Sequence, residues 1–115
     1  MELTFSDEYE YVPVWNNNRK DERPVTVQLR YLTTPEREKY ISVGYVSVEG
    51  ELRRNTSFDN SGILRASIIK IDNLKVNGVE IKSASELLGI RGLSSLATEI
   101  ADHAASKNVT PDLKN

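Results

Sequence analysis

Hydrophobic periodicity divides the chain into a strand-forming first half and a helical end. From Val25 to Tyr31 apolar and polar residues alternate, the pattern of a strand with one buried face. Between Leu93 and Ser106 the apolar residues recur every three or four positions, which predicts an amphipathic helix. We therefore expect one α+β domain over residues 1–107, with an antiparallel sheet from the N-terminal half packed against C-terminal helices. The predicted core comprises Val25, Val27, Leu29, Tyr31, Leu64, Ile68, Leu93, Leu96 and Ile100.

Turn-forming residues predict the remaining strands. Asn77-Gly78 lies between short β-rich segments and favours a type I′ hairpin, in which both central residues take positive φ. Glu49-Gly50, which follows the β-rich segment Val43–Val48, is a weaker hairpin signal. Two short strands are expected near the N-terminus, one around Leu3 and Phe5 and one over Tyr9–Val12.

Capping signals predict short helices. Thr34 followed by Pro35 suits the start of a helix that ends near Ile41, and Ser83–Glu86 has the form of a capping box. Residues 63–71 fit either a helix or a buried strand, and we favour a helix on the spacing of the apolar residues.

Two segments are predicted to lack regular structure. Asn16–Arg23 contains no apolar residue and mixes both charges, so we expect an exposed, mobile loop. The segment Asn108–Asn115 contains a proline and little apolar surface, and we expect a frayed tail.

Composition narrows the classes of function. The 115 residues carry a net charge of −2 and no cysteine, which disfavours nucleic-acid binding, thiolate metal sites and disulfides. The N-terminus lacks the features of a secretory leader, and no apolar run approaches the roughly 18 residues of a membrane span. We expect neither secretion nor membrane insertion.

Candidate catalytic chemistry is sparse. His103 is the sole histidine, and no nucleophile or orienting carboxylate can be assigned to it by spacing, so we interpret it as a packing residue. The basic groups Arg19-Lys20 and Arg53-Arg54 have acidic neighbours, which favours solvated charges over a phosphate-binding stripe. We expect a protein without enzymatic activity, cofactor or bound metal.

Three aromatic residues near the N-terminus are the candidate protein-binding site. Tyr9, Tyr11 and Trp15 flank Pro13 and precede a long polar segment. They are interpreted either as packing residues or as a contact patch, because tyrosine and tryptophan are enriched at interfaces. The sequence leaves both interpretations open.

The order of elements resembles a family of small phage proteins. An N-terminal β region, the segment Pro24–Glu38 with its Leu-Thr-Thr-Pro-Glu-Arg helix start, the segment Ile71–Leu74 and a closing leucine-rich helix are similar to bacteriophage tail-assembly-chaperone-like proteins. The resemblance spans about residues 1–107. It implies a non-enzymatic protein of the host cytoplasm that binds a tail-tube or tape-measure protein, with no active-site residues. The β-rich insertion Val43–Phe58 would equally suit a virion subunit, such as a tail or head–tail connector component, that contacts other phage structural proteins or itself.

Overall fold

A three-stranded antiparallel sheet and four helices form the body of the protein. The computed structural model describes residues 1–107, and the predicted frayed tail lies outside them. The sheet has the order β1-β2-β5, and the prediction of an α+β fold is confirmed. The strands are β1 Glu8–Tyr11, β2 Thr26–Arg30, β3 Ile41–Val48, β4 Glu51–Phe58, β5 Ile68–Asp72, β6 Lys75–Val76 and β7 Val79–Glu80. The helices are α1 Thr34–Tyr40, α2 Asn60–Ser67, α3 Ala84–Leu88 and α4 Ser94–Ser106, with 3₁₀ turns at Trp15–Lys20 and Arg91–Leu93.

Strand β2 is the centre of the sheet and faces the helices. Val27 and Leu29 are fully buried against a core that also contains Leu64, Leu96 and Ile100, whereas Arg30 is exposed. The predicted orientation of this strand is therefore confirmed. Two residues of the predicted core, Tyr31 and Ile68, are only half-buried.

The predicted helix over residues 63–71 is wrong in its second half. Helix α2 ends at Ser67, and the chain continues directly as β5, in which Ile71 lies opposite Val27 of β2. A helix here would have left one edge of β2 without backbone partners, whereas β5 pairs with it. Consequently the sheet takes one strand from the second half of the chain.

The predicted loop Asn16–Arg23 is exposed as expected except at Asn18, but the expectation of a mobile segment without regular structure is wrong, because a 3₁₀ turn covers Trp15–Lys20 and one buried side chain fixes it. Asn18 is 8% exposed; its Nδ2 donates to the carbonyls of Pro13 and Val25 at 2.8 and 3.0 Å, and its Oδ1 accepts from Val25 N–H at 2.7 Å. Asn16 and Asn17 take positive φ, which asparagine tolerates better than most residues. The segment thus clamps the chain that follows β1 to the residue that precedes β2.

Local signals were read correctly at most turns. Asn77 and Gly78 both have positive φ, as the type I′ prediction requires. Ser83 caps α3 as predicted, while the cap of α1 is Thr33, one residue before the expected Thr34. The strand expected around Leu3 and Phe5 is wrong, because both residues are exposed and only Phe5 makes an isolated bridge.

We predict that Asn18→Asp destabilises the protein by at least about 2 kcal/mol, since the isosteric carboxylate loses both donors and faces two carbonyl oxygens. Urea unfolding measures the loss, and Lys20→Ala in the same turn is the exposed control. An Asn18→Asp variant with the parent's midpoint would contradict the clamp.

Candidate protein-binding arm

A long β-hairpin projects from the body, and we call residues Ile41–Phe58 the arm. Strands β3 and β4 pair without a break over eight residue pairs, from Ile41 opposite Phe58 to Val48 opposite Glu51. Every residue from Ser42 to Phe58 is exposed. The arm helps to explain why the radius of gyration is 16.6 Å, when a compact chain of this length has about 13 Å.

The root of the arm is fixed to the body at both ends. Tyr40 ends α1 and Ile41 begins β3 without a linker, while Asp59 alone separates β4 from α2. Asp59 N–H donates to the Tyr40 carbonyl at 2.8 Å, and the Asp59 carboxylate accepts from Gly62 N–H at 3.1 Å to cap α2. The Tyr40 ring lies directly on Gly62, where any side chain would overlap it. The direction of the arm is therefore set by two helices.

One face of the arm is rich in large apolar side chains. Residues directly opposite each other in an antiparallel pair share a face, which assigns to this face Ile41, Val43, Tyr45, Ser47, Leu52, Arg54, Thr56 and Phe58. Tyr45 is 67% exposed and Leu52 is 75% exposed, although both are of the size that normally enters a core. This face is therefore a candidate interaction surface.

Among the described residues, no strand pairs with the outer edge of β3. Natural sheets protect their edges with charges, short strands, bulges or a covering segment. The body follows this rule, since β1 is short and carries Glu8 and Glu10, and Ile71 of β5 donates its N–H to the Lys82 carbonyl at 3.1 Å. Strand β3 has eight residues, no charge, no proline and no bulge. Its free backbone groups can accept another strand.

The three predicted protein-binding residues lie elsewhere, half-buried between β1 and α4. Tyr11 stacks on His103 with ring centroids 3.8 Å apart, and Tyr9 packs on Tyr31 at 4.6 Å. Trp15 Nε1 donates to Ser95 Oγ at 2.9 Å. The structure thus gives each of them contacts inside the fold, and their role in binding a partner stays a prediction.

Glu99 joins the aromatic cluster to α4. Its Oε2 accepts from the Tyr11 hydroxyl at 2.6 Å and from Val14 N–H at 2.8 Å. Burial and the hydrogen bond and charge of Glu99 raise the pKa of Tyr11 to about 12. Glu99 lies on the side of α4 that carries its polar residues, and that side is where the N-terminal segment docks.

His103 has the packing position that the sequence predicted. Its ring lies against Tyr11 and within 5.8 Å of Tyr9. Burial and the positive charge of Lys107 lower the pKa of His103, which favours a neutral imidazole in the stack. The arrangement is that of a structural residue.

The described residues include a charged cleft, which was considered as a site for a ligand or metal ion. A cleft of about 700 Å³ beside β5 contains charges of both signs, including Lys70 and Asp72 at 3.6 Å and Lys82 and Glu80 at 3.1 Å. Across residues 1–107, no group of three or more acidic, histidine or cysteine side chains could hold a metal ion. In the same residues, no helix has the length and apolar character needed to cross a membrane.

The β-rich segment Val43–Val48 and the Glu49-Gly50 turn predict the hairpin of the arm, but these two signals do not distinguish a binding surface from a packed strand. The signal was present in β3, where large apolar residues change from odd positions, such as Val43 and Tyr45, to even positions, such as Val46 and Val48. A strand with one buried face does not change in this way.

Comparison with known proteins gives no relative. No family model matches the sequence, and no curated protein or solved structure does so either.

We predict opposite outcomes for two tyrosine-to-phenylalanine changes. Tyr11→Phe removes the hydrogen bond to Glu99 and should cost about 1–2 kcal/mol. Tyr9→Phe should be neutral or slightly stabilising, because the buried Tyr9 hydroxyl has no hydrogen-bond partner among residues 1–107. Urea unfolding of both variants checks the difference, and equal midpoints would contradict the assignment of Glu99 as the anchor of Tyr11.

Proposed function

We propose that this protein is a non-enzymatic assembly protein of a bacteriophage tail module and that it acts by burying its arm against other protein. The observation that carries the proposal is the arm itself, an eight-pair hairpin whose apolar face and β3 edge are both exposed. The phage attribution rests on the resemblance of the sequence to tail-assembly-chaperone-like proteins.

The arm favours a resident virion subunit over a transient chaperone. A two-stranded hairpin alone is marginally stable in water, and three or more strands or packing against another element are needed for independent stability. An exposed apolar edge strand is moreover an aggregation hazard while it stays uncovered. Both arguments favour a contact that persists in the finished particle.

The contacts of the acidic and histidine side chains also favour a protein-binding role over a catalytic one. Glu99 and His103, which contact the aromatic cluster, hold β1 and the following segment on α4. A general base needs a reacting group within hydrogen-bond reach and a site for substrate. Both groups are instead occupied by tyrosine rings and a backbone amide.

Mass spectrometry of purified virions tests the proposal. We expect the protein at a fixed ratio to the other tail proteins, since a subunit remains in the particle. A protein that is required for tail formation but absent from finished virions would instead support the chaperone. A protein that is absent and dispensable for tail formation would overturn both.

A pair of surface substitutions tests the arm in the same particles. We predict that Leu52→Asp reduces incorporation into tails at least tenfold, the ratio that corresponds to about 1.4 kcal/mol, because it places a charge on the apolar face. Val79→Asp is the matched control, since Val79 is an exposed strand residue of the body, 62% accessible. Circular dichroism confirms that both variants fold. Equal incorporation of the two would show that the arm is not the contact.

A further inference from the structure

Among residues 1–107, neither backbone conformation nor close packing requires a glycine at position 44. It lies in the middle of β3, where glycine weakens a strand. Its φ is not positive, and a Cβ atom built on it would meet no atom of the described residues within 4 Å. A glycine inside a strand often marks the place where another backbone approaches.

The charge pattern of the arm indicates what approaches β3. When two copies of one strand pair antiparallel about a two-fold axis, a charge near that axis comes close to its own counterpart, and like charges across strands repel. Strand β4 would place Arg53 and Arg54 in that situation, whereas β3 has no charge at all. Strand β3 can therefore pair with itself in any register without electrostatic cost, whereas a self-pairing of β4 centred on its arginines cannot.

The register of β3 against itself also agrees with a two-fold axis at Gly44. Opposite residues share a face, so the axis must pass through a residue position. With the axis at Gly44, each Val43 lies opposite Tyr45 of the other copy, which gives two pairs of a β-branched with an aromatic residue. The two glycines face each other at the centre.

We infer that β3 pairs antiparallel with β3 of a second copy, about a two-fold axis near Gly44, to form a four-stranded sheet from two arms. This inference rests on the proposed function of the arm as a protein contact and names its partner. Pairing supplies the additional strands that an isolated hairpin lacks. Because edge pairing alone is smaller than a standard interface of about 800 Å² per partner, we expect a dimer that dissociates at micromolar concentrations.

Sedimentation of the purified protein tests the inference. Variants that place a positive or a negative charge at Gly44, on the proposed axis, are compared with the parent. The parent should pass from a monomer of 13.0 kDa to a dimer of twice that mass as its concentration rises to about 200 µM. Gly44→Lys and Gly44→Glu should each raise the dissociation constant about tenfold or more, and an equimolar mixture of the two should recover the dimer. Recovery in the mixture also shows that both variants fold.

Asn55→Lys is the matched control, because Asn55 is the partner of Gly44 across the hairpin and lies on the same face but on the other edge. It should leave the dimer intact. A parent that stays monomeric, a dimer that Gly44→Lys leaves unchanged, or a mixture that remains monomeric would overturn the inference. If the inference fails while Leu52→Asp still blocks incorporation into tails, the arm has a different partner; if Leu52→Asp is also without effect, the proposed function fails as well.

Discussion

The fold depends on the burial of one face of β2. Val27 and Leu29 are fully buried in the core that β2 shares with the helices, and β2 has a paired strand on each side. Burying side chains of this size contributes about 1.5–3 kcal/mol each, and the two neighbouring strands supply backbone partners that β2 would otherwise lack. The N-terminal segment is then held by Asn18 and Glu99, each of which accepts or donates hydrogen bonds across the chain rather than within its own element.

The arm is attached to this body by very short connections at both ends. Helix α1 passes directly into β3, and one residue, Asp59, connects β4 to α2 while it caps that helix. Asp59 also follows the last residue of the arm, and its N–H donates to the Tyr40 carbonyl, which fixes the root of the arm. A rigid root means that little conformational freedom is lost when the arm is bound, which favours association.

Sequence predicted the parts of the fold that are specified locally. The alternation in β2, the two positive-φ residues at Asn77-Gly78 and the capping box at Ser83 each depend on neighbours in the chain, and each is found as expected. The errors concern long-range partners. Residues 68–72 become a strand because β2 has an open edge, and Asn18 is buried because carbonyls of Pro13 and Val25 converge on it. The candidate aromatic site raised the same difficulty, since Tyr11 and Trp15 find hydrogen-bond partners more than 75 residues away.

The edge strands of the body are protected, whereas the outer edge of the arm is not. This contrast supports the proposed role in assembly. In the body, edge strands are short, charged or covered, as monomeric proteins require. In the arm, β3 is long, regular and uncharged, and a Cβ at its central Gly44 would meet no atom of residues 1–107 within 4 Å. A two-fold pairing of arms is closed and joins copies only in pairs. A ring or stack built from such pairs therefore needs a second contact, and the apolar face with Tyr45 and Leu52 is available for it because edge pairing leaves both faces of the sheet open.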